Sequence, residues 1–284
     1  MNRRFLFVLF ACLFCLSACA PNSDGSVPTE MALTDPADTS DAEEGHLLLE
    51  GRRYTYTGKA EDISAKEDIL TLQRGGTYRI SGTLNDGCLR ISAPHETLHL
   101  ILDGVSLSSS RTTPLVIEAA ACVILETAEG TVNRLTDTDA APKEERLPAA
   151  CLEASCQLVL RGSGSLILSG RRQAALSCTQ TVTVESGSVT LSAPDMGLWV
   201  RDALILSGGA LTVTAAERGI VAAKDETAQG LVTVSDGKLT VSATEVALVA
   251  GRKLLAIGGS ADLSAPILYD APSVVLDAPH FPKR

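Results

Sequence analysis

Clustered basic residues are missing from this 284-residue chain, which carries 24 Lys and Arg against 34 Asp and Glu for a net charge of −10. Removing Arg3 and Arg4 makes it more negative still. Such a surface argues against nucleic acid as a partner, and against direct binding of polyanions unless a cation bridges. Solubility is the plainer account of the charge. Metal-binding cysteine patterns are missing too: there is no CxxC and no Cys/His ligand set, which argues against zinc. Beyond residue 19 the cysteines are Cys88, Cys122, Cys151, Cys156 and Cys178, an odd number with no paired spacing. Cys151 and Cys178 fall where neighbouring segments carry Leu, Val or Ile and read as small buried hydrophobes. A Cys151–Cys178 or Cys156–Cys178 bridge stays open. No stretch holds a sustained 3.6-residue apolar stripe, so helices are not expected.

The first residues address the chain. Arg3 and Arg4 precede an apolar run from Phe5 to Leu16, shorter than the roughly 20 residues a membrane span needs and patterned as a signal peptide. It ends in Leu16-Ser17-Ala18-Cys19. Small residues before a cysteine resemble the lipobox of bacterial lipoproteins, which implies lipidation at Cys19 and cleavage after residue 18. The alternative is an ordinary signal cut near Ala18 or Ala20. No later stretch is long and apolar enough to span a bilayer, so the lipid is the expected anchor, on the outer side of the cell membrane. Residues 19–50, rich in Pro, Ser, Thr, Asp and Glu, read as a flexible linker. Residues 51–270 form the expected domain and 271–284 a tail that closes its end.

A repeat governs the rest. Gln173–Ala193 is followed by Asp195–Ala215, then Glu217–Ala223, Leu231–Ala243 and Glu245–Ala265 in the same pattern. The turn glycines Gly187, Gly209, Gly237 and Gly259 lie 22, 28 and 22 apart, the longer gap holding an insertion near Lys224–Gly230. A fixed period of this size means a solenoid. Within a repeat, Val182/Val184 and Val189/Leu191 alternate with Thr183 and Thr190, the mark of half-buried strands. Each repeat therefore holds three short strands, one coil of an all-β, right-handed, single-stranded parallel β-helix. About nine coils stacked at the strand spacing give a rod on the order of 40 Å. Earlier coils are less regular: Thr77–Leu84, Leu98–Leu107 and Pro114–Leu125 fit. A polar excursion, Thr136–Pro148, leaves the solenoid and reads as a mobile loop.

Gly76-Thr-Tyr-Arg-Ile-Ser-Gly-Thr-Leu-Asn-Asp-Gly87, Leu100-Ile-Leu-Asp-Gly-Val-Ser-Leu107 and Ala128-Glu-Gly-Thr-Val-Asn-Arg-Leu-Thr-Asp137 resemble a family of secreted bacterial parallel β-helices with carbohydrate-binding domains of the pectin- or polygalacturonate-binding type. The resemblance spans roughly residues 60–265. It implies an extracellular acidic polysaccharide as partner, with calcium in at least some members. The family's later coils carry Asp-Asp-Gly-Ile followed by Lys-Asp-Asp. This chain has Asp195-Met-Gly-Leu, Glu217-Arg-Gly-Ile and Glu245-Val-Ala-Leu, then Arg201-Asp202-Ala203 and Lys224-Asp225-Glu226. The acids left as metal ligands are Asp195, Asp202, Glu217, Asp225 and Glu245, about half the family's number. Calcium wants six to eight oxygens, so its binding is in doubt.

Asp195, Glu217 and Glu245 hold equivalent places in successive coils and should stack into an acidic column. Like charges about 5 Å apart repel by roughly 1 kcal/mol even in water-like surroundings, which a cation or an interleaved base such as Arg218 relieves. The column serves either as part of a sugar site or as a solvated corner. Trp199, between inward-facing Leu198 and Val200, should point outward, either as a platform for a sugar ring or as a ring covered by the Thr136–Pro148 loop. Polysaccharide lyases and hydrolases share this fold, but the paired carboxylates of glycosidases are not evident, and His46, His95, His99 and His280 scatter outside the regular coils. The expectation is a non-catalytic, monomeric carbohydrate-binding lipoprotein, with a structural or adhesive rod as the alternative.

Overall fold

A computed structural model describes residues 44–138, 148–224 and 227–283. Cys19, the signal segment, Asp225 and the middle of the Thr136–Pro148 excursion lie outside them. Among the described residues there is no α-helix, only a three-residue 3-10 turn at Ala60–Asp62.

Every coil runs through three strands, as the period-two pattern requires. The first strands are Ile69–Leu72, Cys88–Ser92, Leu115–Ala119, Ala150–Ala154, Ala174–Cys178, Met196–Val200, Arg218–Ala222, Val246–Ala250 and Ile267–Asp270. They pair in parallel, each with the next in sequence. The second and third strands form the other sheet, some of them continuous around the corner, as in Ala203–Ala215 and Leu231–Ser242. The result is a parallel β-solenoid of about eight turns. The last turn, begun at Ile267–Asp270, continues through Ser273–Leu276 and ends on a single bridge between Ser260 and His280.

Register follows from the repeat. Val182, Leu204, Val232 and Leu254 stack directly on one another, and all are fully buried. Leu176, Leu198, Ile220 and Leu248 do the same on the first face. Each such side chain contributes about 1.5–3 kcal/mol by leaving water, and a one-residue slip would turn a whole column outward. The turn glycines stack as well. Gly187, Gly209, Gly237 and Gly259 all have positive φ. A Cβ on Gly209 would lie 2.7 Å from the Gly187 carbonyl oxygen, and one on Gly237 would lie 2.7 Å from that of Gly209. Left-handed backbone and coil-on-coil contact together leave room for glycine alone.

The ends are closed. At the start, Gly45–Gly51 pairs in parallel with the first coil and antiparallel with Arg53–Thr57, while Ile63–Lys66 pairs antiparallel with Ile69–Leu72. Strand Gly45–Gly51 therefore occupies ground expected as linker; its Leu47 and Leu49 face the core and Leu48 faces out. At the other end, Ser273–Leu276 adds a strand and Ala278 and Phe281 join the core, so most of the expected tail belongs to the solenoid.

Two further expectations change. Asp137, read as part of the loop, is fully buried. Arg172 meets its Oδ2 at 2.8 Å and also donates to the Thr113 hydroxyl and the Ala150 carbonyl. This pair ties the chain where it leaves and rejoins the coils. His99 is not outside the coils either: it lies in strand Thr97–Ser109 with Nε2 3.0 Å from Glu126.

The cysteines behave as hydrophobes. All five in the described residues are buried and unbridged, so neither candidate disulfide forms. Burial pushes the thiols of Cys156 and Cys178 up to about 12.

Candidate functional site

The first face of the solenoid carries the residues singled out above. Successive backbone bonds run from Asp195 N–H to Gln173 O, from Glu217 N–H to Asp195 O and from Glu245 N–H to Glu217 O. The three acids therefore occupy one corner, one coil apart. Asp195 and Glu217 are coupled: the Asp195 charge, and the hydrogen bond that the protonated Glu217 carboxyl donates to Asp195, raise the Glu217 carboxyl above its usual range, burial and Glu245 add to this, and Arg218 opposes it. Arg218 Nη2 meets Asp195 Oδ1 at 2.9 Å, the interleaved base that the repulsion calls for.

Asp202 does not join this corner. It follows strand Met196–Val200, which Asp195 precedes, so the two lie at opposite ends of roughly 17 Å of extended chain. Of the acids expected as metal ligands, Asp195, Glu217 and Glu245 thus share one corner and Asp202 lies at another, while Asp225 is outside the described residues. Among the described residues no group of three or more His, Cys, Asp or Glu converges as a metal site. Calcium held by protein carboxylates does not fit what is here: Asp195 is committed to Arg218, and Glu217 leans on Asp195.

Trp199 points outward, as its place between buried Leu198 and Val200 requires, and is half-buried. It stands in register with Ser177 and Val221. Its surroundings are apolar: Ala174, Met196, Val221, Val246 and Val249 form an outer cluster with it, separate from the main core. Trp199 and the acidic corner are joined by one strand, roughly 13 Å of chain. The face thus presents an apolar strip with an indole, bordered by two carboxylates and a guanidinium. Sequence reading missed the strip because strict alternation assigns Met196 and Val246 to the core. The bend at Gly197 and Gly219 breaks that alternation, since a Cβ there would point inward onto Val213 and Val241.

This geometry can be set beside known proteins. The family model for carbohydrate-binding domain-containing proteins matches residues 66–268. The chain belongs to that family. A carbohydrate-binding domain-containing protein of Acetivibrio thermocellus is 26% identical over 180 residues, covering 59% of this chain and 63% of the relative. This chain therefore spans somewhat under two thirds of that relative. Among solved structures, the polysaccharide lyase-like protein from C. thermocellum, a gadolinium derivative, superposes with a TM-score of 0.75 at 22% identity, covering 85% of this chain and all of the other. At that identity the likeness speaks for the fold. Membership in the carbohydrate-binding domain family supports carbohydrate binding, and the residues matched include both the acidic corner and Trp199.

Proposed function

We propose that the chain is a non-catalytic lipoprotein, anchored through Cys19 on the outer side of the cell membrane, that binds extracellular polysaccharide along its first face. The observation that carries this reading is Trp199 on an outer apolar strip beside the Asp195–Glu217–Arg218 corner. An indole takes the apolar face of a sugar ring, and carboxylates and a guanidinium take its hydroxyls by charge-assisted hydrogen bonds. A pectin-like polymer is the ligand class in view. Its free carboxylates would be repelled at the acidic corner, which favours esterified or neutral stretches there. Because the corner lacks a calcium ligand set, binding on this face is expected without calcium.

The test is affinity electrophoresis of the protein through gels containing pectin or polygalacturonate, with calcium and with chelator. Retardation that survives chelator and weakens at least about tenfold in Trp199→Ala is the expected result. No retardation on any polysaccharide would leave a structural or adhesive rod as the better account. Release of shortened or unsaturated products from the polymer would make the chain an enzyme, the activity suggested by the lyase-like name of its structural neighbour.

A further inference from the structure

The strip around Trp199 continues into the coils before it, and there its chemistry changes. Glu153, Ser177 and Trp199 stand in register in three successive first strands, each about 4.8 Å from the next. All three point outward, since the residues on either side of each belong to the core. Glu153 Oε1 accepts from the Thr113 hydroxyl at 2.6 Å and from the Ala150 N–H at 3.1 Å, which fixes the side chain. Its Oε2 accepts from no described residue, and the side chain is 22% exposed. One coil on, Ser177 Oγ is buried without a hydrogen-bond partner among the described residues. A buried hydroxyl left unpaired costs stability and calls for an explanation.

The charge of the face decides what kind of group would satisfy these acceptors. Arg90, Arg172, Arg218 and Lys224 each face an acid, namely Glu118, Asp137, Asp195 and Asp270. Arg172 also stands 4.0 Å from Glu153, but Asp137 already neutralises it. Arg201 lies at the opposite corner, beside Asp202. Glu217 and Glu245 have no salt bridge among the described residues, and Glu153 has only that distant one. The face therefore carries surplus negative charge next to its indole.

Acceptors without donors, set in negative surroundings, suit a group that only donates and carries positive charge. An ammonium has N–H donors and no acceptor, and an indole face attracts it as well. We infer that this strip binds an amino sugar whose free amine is protonated, with the ring on Trp199 and the ammonium on Glu153 Oε2 and Ser177 Oγ. The inference rests on the carbohydrate-binding reading above and names the charge that this face favours. The corner that repels free carboxylates attracts an ammonium, and a pectin-like polymer meets the face only through its uncharged stretches.

Trp199 is the one tryptophan of the chain, so its fluorescence reports on this site. The experiment titrates the full chain in detergent with a glucosamine oligosaccharide and with its N-acetylated, uncharged counterpart, at a pH that keeps the free amines protonated. Wild type should bind the amino form at least about tenfold tighter. Glu153→Gln keeps the Oε1 acceptor and should bring the two forms within about twofold of each other. Ser177→Ala removes an unpaired hydroxyl, so it should melt no lower than wild type while its preference for the amino form falls severalfold. Equal binding of both forms by wild type, or a preference undiminished in either variant, would overturn the inference and leave the carbohydrate reading intact. Spermidine binding as tightly as the amino oligosaccharide would also overturn it, because charge would then suffice without a sugar ring. If neither oligosaccharide binds, the inference falls, and the polysaccharide gels described above decide the wider reading on their own.

Discussion

The glycine column offers a sharp test, because the cost of a Cβ there divides into two parts that other glycines of the same chain isolate. Gly209→Ala places a Cβ 2.7 Å from the Gly187 oxygen at φ +67. The left-handed backbone costs an L-residue about 1–2 kcal/mol. Forcing a methyl against the backbone of the coil below adds strain of about 1–3 kcal/mol, as overpacking does. The total is about 2–5 kcal/mol. Gly130 has φ +70 with nothing within 4 Å of its Cβ position, so Gly130→Ala should show the backbone part alone. Gly208 shows no left-handed φ, but its Cβ would strike the Glu185 carbonyl, so Gly208→Ala isolates the steric part. At about 2–4 °C per kcal/mol for a domain of this size, Gly209→Ala should melt about 10 °C lower and Gly130→Ala about 4 °C lower. Amide exchange should quicken in coils touching residues 187, 209 and 237, because solenoid stability passes between neighbours. Equal melting of Gly209→Ala and Gly130→Ala would refute the idea that coil-on-coil contact, rather than turn conformation alone, demands glycine in this column.

Two other consequences are open to measurement. Asp137→Asn removes the close anion of the buried Arg172 guanidinium and leaves only Glu153, 4.0 Å away, and should cost about 3 kcal/mol in denaturant unfolding; a loss under 1 kcal/mol would mean that the pair does not hold the excursion to the coils. Glu217 is raised in the folded protein by Asp195, so the native state takes up its proton more readily than the unfolded chain. Glu217's contribution to stability therefore grows as pH falls through its raised pKa, is complete below the ordinary glutamate value, and is lost as pH rises back through the raised pKa. Asp195→Asn should move the Glu217 carboxyl midpoint, followed by NMR, back down toward that of an ordinary glutamate; an unchanged midpoint would rule out Asp195 as the cause.

The sequence by itself determined the solenoid. Its 22-residue period, its alternating valines and leucines and its turn glycines are local patterns, and identical coils can stack in only one register without turning a hydrophobic column outward. Stacking also placed Asp195, Glu217 and Glu245 together and sent Trp199 outward, since equivalent positions in successive coils must be neighbours. What departs from the period needed three dimensions. Asp137 and Arg172 are 35 residues apart, so no repeat pairs them. The outer strip around Trp199 depends on a bend at Gly197 that strict alternation does not anticipate. The division of the acids between two corners shows only when the strand between them is laid out. The hairpin Gly45–Thr57 precedes the repeat, and its pairing onto the first coil follows no periodic pattern. Periodic order is written in neighbouring residues, whereas ends, clasps and hollows arise where distant segments meet, and only the folded chain brings those together.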